Sequence, residues 1–269
     1  MVPGMNESPV IPSATVLLLR DGAEGLEVFM VLRHEGVASF AGALVFPGGK
    51  VDPRDRDPGL AGFSCESDDA GFRIAAIREA FEECGVLLAR DARTGGALVD
   101  AERLARLEAR WRAELHAGAC GILDVVCPEA LELACDLLVP WAHWITPEGL
   151  PRIFDTHFFL AEAPADHVAL HDGAESTDSV WISPKRALAE QATGLRRLVF
   201  PTWMNLRRLA RAGSVAEALA LARATTIVPV RPVASRHPRG RLLRVPPEAD
   251  YGCREVIADE AIGRFEIVA

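Results

Sequence analysis

Residues 78–86 read Arg-Glu-Ala-Phe-Glu-Glu-Cys-Gly-Val. Glu79, Glu82 and Glu83 stand at spacings of zero, three and four, and residues three and four apart share one face of an α-helix. The three carboxylates therefore point the same way. Like charges within one turn repel, each pair costing roughly a few tenths of a kcal/mol at an exposed site. A helix that only faced solvent would interleave lysines. The pattern fits a hard divalent cation held against that face, because Mg²⁺ takes oxygen ligands and commonly keeps substrate phosphates in its shell. Gly85 follows where such a helix would stop.

The elements that must position this helix are legible around it. Ala14–Leu19 is an apolar, β-favouring run, and Leu26–Arg33 is a second; the turn Asp21-Gly22-Ala23-Glu24-Gly25 joins them into a hairpin. Leu44-Val45-Phe46 reads as a short strand that ends at Pro47-Gly48-Gly49, where glycines let backbone approach a ligand closely. Residues 52–71 read as a polar surface loop. From Phe72, Ile74, Ala75, Ile77 and Phe81 recur at helical spacing, which gives the acidic helix an apolar face. Residues 97–117 are helical in pattern, with Leu104, Leu107, Trp111 and Leu115 on one face, and a further helix is expected at Glu129–Cys135, after Pro128. Strands are expected at 137–146, 153–162 and 179–183, and helices at 185–192, 202–212 and 215–223. The tail 226–269 offers two short strands, near 241–245 and 263–268. Strands, then helices, then strands again fit a mixed α+β layered fold.

The composition narrows the function classes. The chain has 269 residues, 49% of them apolar, enough for one domain with a substantial annex. A net charge of −9 argues against a general binder of nucleic acid or anionic membrane. Cysteines 65, 84, 120, 127, 135 and 253 show neither a C-x-x-C pair nor zinc-like spacing and read as reduced thiols. Met1–Pro12 lacks the basic start and apolar run of a signal peptide. No apolar run approaches the roughly 18 residues of a membrane span. A cytoplasmic location is expected.

Arg78-Glu79-x-x-Glu82-Glu83-x-Gly85-Val86, with Gly48-Gly49 upstream, resembles the box of the Nudix hydrolases. The second half of that box is intact. In the first half Asp55 stands six residues after Gly49, where the family has a glutamate, with Asp52 an equal candidate. Twenty-two residues separate Asp55 from Arg78 in place of seven, so the box is split by an insertion of about 15 residues. The resemblance implies an α/β/α sandwich with a mixed sheet over residues 1–195, a helical insertion at 97–135, and a C-terminal segment 196–269 packed on it. It implies that Glu82, Glu83 and the Gly49 carbonyl ligate Mg²⁺ or Mn²⁺. Glu79 would be a further ligand or the base that orients the attacking water, and Arg78 would pair with a carboxylate, Glu82 being within reach. A distal acid is also implied; Glu175 has the spacing, with Glu162, Asp172 and Asp178 as competitors.

Two further stretches point to a branch. Leu32-Arg33, Gly42 and Phe46-Pro47-Gly48-Gly49 match part of the upstream motif of Nudix coenzyme A diphosphatases, although Ala38 and Phe40 depart from it. Trp144-x-Thr146-Pro147-Glu148 and Arg152-x-Phe154-Asp155-Thr156-x-Phe158-Phe159 resemble the branch that contains the peroxisomal coenzyme A diphosphatases and their bacterial relatives. The resemblance implies a small diphosphate substrate, coenzyme A or acyl-coenzyme A first and ADP-ribose, NADH or another dinucleotide second, with Arg33, Phe46 and Gly48 on the substrate. A Nudix-fold binding module without turnover is the rival from another class. His143 and His157 read as satisfied core histidines, and Trp141 and Trp144 as core or as an adenine-stacking surface. Arg231, Arg236, Arg239, Arg241 and Arg244 read as a solvated surface, a homodimer contact or phosphate ligands.

Overall fold

A computed structural model describes residues 9–34, 42–94, 96–172, 176–259 and 263–268. The apolar run near the N-terminus lies in β1 (Val10–Gly22), and its alternation decides the architecture. Ala14, Val16 and Leu18 enter one core cluster, whereas Leu17 and Leu19 enter another, and all five are fully buried. A strand buried on both faces needs a layer on each side of its sheet.

β1 runs through a tight turn into β2 (Gly25–Arg33), as the hairpin reading expects, with Gly22 opposite Gly25. Next come β3 (Leu44–Val45), which pairs with β2, and β4 (Gly48–Lys50), which pairs with β1. β3 thus ends ahead of Pro47, as expected, but Gly48 and Gly49 open a strand of their own, which the sequence pattern does not mark. A Cβ at Gly48 would lie 2.4 Å from the Ala14 carbonyl oxygen and 2.7 Å from the Thr15 Cα. The glycines do permit a close approach, and the neighbour at Gly48 is β1 itself.

The split-box loop holds two short 3₁₀ turns, Pro53–Arg56 and Pro58–Gly62, and leads to the acidic helix α1 (Ala70–Cys84). Gly85 closes α1 in the left-handed region at φ 68°, its N–H donating to the Phe81 carbonyl. The segment expected to be a helical insertion also contains strands. After β5 (Ala89–Asp91), which precedes it, residues 97–135 comprise β6 (Ala97–Leu98), α2 (Ala101–Leu107), a π-helical stretch Glu108–Arg112, α3 (Ala113–His116), α4 (Ile122–Glu129) and β7 (Leu131–Leu133). The three strands form a small sheet in the order β6-β5-β7. Leu104, Leu107 and Leu115 are buried and Trp111 half-buried, as their spacing predicts. The helix expected at Glu129–Cys135 is corrected to α4. Ile122, Val125 and Val126 supply its buried face, Pro128 falls in its last turn, and Ala130 at φ 53° ends it.

β8 (Val139–Ile145), β9 (Ile153–Glu162) and β10 (Ser176–Ile182) complete most of the central sheet. They are followed by α5 (Pro184–Ala192), with Pro184 in its first turn, α6 (Phe200–Leu209) and α7 (Val215–Ala224). β11 (Pro229–Val230) adds to β8, giving the mixed order β10-β2-β1-β9-β8-β11. The cluster containing α1 and the insertion covers one face and the cluster containing α5–α7 the other, which is the α/β/α sandwich of the sequence reading.

The tail is more ordered than two short strands. β12 (Val233–His237), β13 (Gly240–Arg244), β14 (Glu255–Asp259) and β15 (Arg264–Ile267) form a four-stranded antiparallel sheet. It is tied to the main body through Tyr251, whose hydroxyl donates to Asn205 Oδ1 (3.0 Å) and accepts from Trp144 Nε1 (2.8 Å). No helix among the described residues is long and apolar enough to cross a membrane.

Candidate active site

The last two turns of α1 carry Arg78, Glu79, Glu82 and Glu83, all buried. Burying four ionisable groups side by side is costly unless each is paired. Arg78 does much of the pairing. Its Nε and Nη2 grip Asp55 Oδ1 and Oδ2 at 2.9 and 3.0 Å, its Nη1 donates to Glu79 Oε1 (2.9 Å) and Glu82 Oε1 (3.1 Å), and its Nη2 also reaches the Lys50 carbonyl (2.8 Å). A planar guanidinium suits that bidentate fork better than an ammonium would. Glu83 faces β4, where its Oε2 accepts from the Gly48 N–H at 3.0 Å.

The two aspartates weighed for the first half of the box are placed differently. Asp55 is 1% exposed and sits in the Arg78 fork, its other link being the Asp52 N–H at 2.8 Å. The Asp52 carboxylate turns outward to Arg54, which holds it down at about 2. The inserted loop therefore closes on itself and returns Asp55 to the helix.

Gly49 packs flat on the Glu79 carboxylate: a Cβ there would meet Glu79 Oε1 at 2.4 Å. That carboxyl is pushed up to about 7 by burial, against the pull of Arg78 and with the help of Glu82. Burial also raises Glu82 and Asp55, while the surrounding acids raise Arg78 above an already high value. Three buried carboxylates, Asp55, Glu79 and Glu82, share one buried guanidinium, the buried Glu83 lies on the same helix face, and the prospective ligand atoms are all oxygens. That is an excess of buried negative charge in a hard-ligand setting, and it fits a divalent cation such as Mg²⁺ or Mn²⁺. Glu79 and Glu82 are both oriented by Arg78, and Glu83 by β4.

The end of α1 has a further support that its spacing did not mark. Arg112, on the π-helical stretch, donates from Nε to the Glu82 carbonyl (3.0 Å) and from Nη2 to the Leu170 carbonyl (3.1 Å). The Leu170 N–H in turn donates to the Cys84 carbonyl (3.0 Å). Glu175, the expected distal acid, lies outside the described residues. Of its competitors, the Asp172 carboxylate accepts from the Ser176 N–H (3.1 Å), Asp178 from the Ser179 N–H (2.8 Å), and Glu162 is exposed at the end of β9.

A cavity of about 990 Å³ opens on this cluster. Arg33, Phe46 and Gly48, the expected substrate residues, line it together with Glu79, Glu82 and Glu83. Its apolar lining comes from distant parts of the chain: Trp144 on β8, Phe154 and Phe158 on β9, Phe200 on α6, and Leu243 and Phe265 on the C-terminal sheet. Phe200 and Phe265 carried no spacing signal, since their strand and helix are short and their partners lie far off in sequence. Of the basic tail, Arg241 lines the cavity, whereas Arg231, Arg239 and Arg244 pair with Glu148, Glu266 and Glu255. Trp141 is core, and Trp144 is both core and cavity wall.

A glycine strand laid on a glutamate-bearing helix, beside a mixed sheet with helices on both faces, defines the Nudix class. A family model described as the NUDT19 Nudix domain matches residues 61–209, more than half of the chain, and the chain belongs to the Nudix family. It is 30% identical over 240 residues to human acyl-coenzyme A diphosphatase NUDT19, an alignment that covers 72% of this chain and 63% of that protein. It is 30% identical over 187 residues to putative nudix hydrolase 7 of Caenorhabditis elegans, covering 68% of this chain and 56% of that one. The chain thus spans about three fifths of the length of these relatives. Among solved structures, a Nudix hydrolase from Alicyclobacillus acidocaldarius superposes with a TM-score of 0.68 at 28% identity, covering 79% of this chain and 96% of that one.

Proposed function

We propose that this chain hydrolyses the diphosphate linkage of coenzyme A or acyl-coenzyme A with Mg²⁺ or Mn²⁺. The observation that carries this reading is one cavity lined both by the carboxylates Glu79, Glu82 and Glu83 and by the aromatic rings Phe154, Phe200 and Phe265. Its volume lies at the upper end for small-molecule sites, and a bare diphosphate would leave the apolar half unfilled. A substrate with a diphosphate in the middle and an apolar chain at one end suits both halves. The names borne by the curated relatives support the same substrate class.

Glu82, Glu83 and the Gly49 carbonyl would hold the cation, which when bound neutralises charge on the phosphoryl oxygens and acidifies a water. Arg78, clamped by Asp55, keeps Glu79 and Glu82 oriented. Glu79, held by Arg78 Nη1 and packed on Gly49, would be a further ligand or the base that orients the attacking water. Arg33, Lys50, Arg152 and Arg197 line the cavity and supply positive charge for the phosphates. Water adds across the P–O–P bond: one phosphorus gains the water oxygen, and the bridging oxygen departs with the other phosphate. The products are an adenosine bisphosphate and a phosphopantetheine half.

The test is a panel of acyl-coenzyme A, coenzyme A, ADP-ribose and NADH with millimolar Mg²⁺ or Mn²⁺. The highest kcat/KM is expected on an acyl-coenzyme A. Tenfold faster cleavage of ADP-ribose or NADH would move the substrate to the dinucleotides, and silence on the whole panel would favour a binding module.

A further inference from the structure

His143, Asp155 and His157 lie outside the cavity walls and are not used by the proposed hydrolysis. On the antiparallel pair β8–β9, His143 stands directly opposite His157, and Asp155 is two residues before His157 on the same strand. Directly opposed residues share a face, and so do residues two apart. All three side chains therefore leave one face of the sheet. Their ligand atoms lie within 4.8 Å of one another, and no other group of three or more His, Cys, Asp and Glu side chains among the described residues comes together this closely. The two imidazoles are 4.3 Å apart, His143 Nε2 meets Asp155 Oδ1, and the Phe72 ring stacks on His157 at 3.9 Å and 19°. All three are half-buried, so an entry path from solvent exists.

We infer that His143, Asp155 and His157 form a second cation site, selective for a borderline first-row ion such as Zn²⁺. Two imidazole nitrogens and one carboxylate oxygen suit Zn²⁺, with bonds of about 2.0–2.2 Å and water in the remaining position. Imidazole ligation disfavours Mg²⁺, which prefers oxygen shells. The two sites of the molecule thus differ in kind. Loading requires small side-chain rotations, since His143 and Asp155 must turn from each other to a shared ion. The hydrogen bond between them is then replaced by bonds to the ion. Phe72 stands about two turns, roughly 10 Å, before Glu79 on α1, so the inferred site flanks the start of the helix whose end carries the glutamates. An ion there would pin β8 to β9 against that helix.

The experiment is Zn²⁺ titration of the whole chain by calorimetry with millimolar Mg²⁺ present, followed by X-ray absorption on the loaded protein. One equivalent of Zn²⁺ is expected to bind wild type and Glu83→Gln alike. The first shell should hold only nitrogen and oxygen, at about 2.0 Å. His143→Gln/His157→Gln should weaken binding at least about 100-fold, the scale set by losing two ligands when outer partners alone are worth 10–100-fold. If the double variant does not fold, Asp155→Asn is read in its place, with at least a tenfold weakening expected. No saturable Zn²⁺ binding, a sulfur neighbour at about 2.3 Å, or unchanged affinity in the folded variants would each overturn the site and leave a hydrogen-bonded His–Asp pair.

Discussion

The two ends of the cavity are built in opposite ways. The acidic end comes from one local stretch, Arg78–Glu83, together with β4 and Asp55. The apolar part is assembled from β8, β9, α6 and the C-terminal sheet; only Trp144 on β8 and Phe154 and Phe158 on β9 lie in stretches that resemble a family motif, and α6 and the C-terminal sheet carry none. Chemistry on a diphosphate depends on a few carboxylates held in a fixed relation, so it concentrates in sequence. Enclosing an apolar chain needs only volume and surface, so it is spread over whatever elements the fold brings together. The acidic end should therefore fail sharply when one residue changes, and the apolar end gradually.

The largest effect is expected at Arg78. Arg78→Ala leaves Asp55, Glu79 and Glu82 buried without their shared partner, and removing one side of a buried ion network costs about 3–5 kcal/mol. Denaturant unfolding should show that loss together with collapse of turnover. Asp55 and Asp52 sharpen the point. Asp55→Asn, at the buried fork, should cost about 2 kcal/mol or more, whereas Asp52→Asn, at an exposed pair with Arg54, should cost at most about 1 kcal/mol. Equal effects would mean that the inserted loop does not return Asp55 to the box.

At the other end, Phe265→Ala should raise KM for a long-chain acyl-coenzyme A about tenfold while changing kcat less than threefold. That is the scale of one lost apolar contact surface, about 1–2 kcal/mol. A matching fall in kcat would instead tie Phe265 to the chemistry.

The smallest effect is in pH. The Glu79 carboxyl is raised from 4.5 to about 7 in the fold, and Glu82 and Asp55 are raised too. A raised carboxyl is protonated in the folded protein where it is charged in the unfolded chain. Its contribution is complete below about 4.5 and lost as pH rises through about 7. Asp52 and Asp91, both lowered to about 2, have their contribution in full across that range. Burial lowers His157 from 6.5, which works the other way below that value, so the metal-free Tm should fall between pH 6.5 and 8, and millimolar Mg²⁺ should restore more of it at pH 8 than at pH 5. A Tm that rises over this window would contradict the buried-acid account.

Most of the sheet and the acidic helix were legible because their signals are local. The alternation in Ala14–Leu19, the stop at Gly85 and Pro184 ahead of a helix each act within a few residues. α4 lies earlier than Pro128 suggests, because the three- and four-residue spacing of Ile122, Val125 and Val126 sets its buried face and the proline falls in its last turn. β4 was missed because glycines mark close approach without saying what approaches. The C-terminal sheet was half missed because its strands are short and the ties that seat it, such as Tyr251 to Trp144 and Asn205, span about 50 to 100 residues. At the site, the glutamates could be read from spacing. Asp55's return to Arg78 across the insertion, and the grip of Arg112 on the end of α1, are long-range and had no local mark.

The most direct test of the central claim is single-turnover hydrolysis of an acyl-coenzyme A by wild type and Glu83→Gln, with Mg²⁺ or with a chelator, following both product halves. Wild type should release an adenosine bisphosphate and an acyl-phosphopantetheine in equal amounts only when the metal is present. Glu83→Gln should be slower by about 10²–10³-fold, the usual effect of removing one preorganised electrostatic group, with its circular dichroism unchanged. Undiminished turnover in Glu83→Gln, or cleavage that persists in chelator, would contradict the assignment of the glutamate cluster.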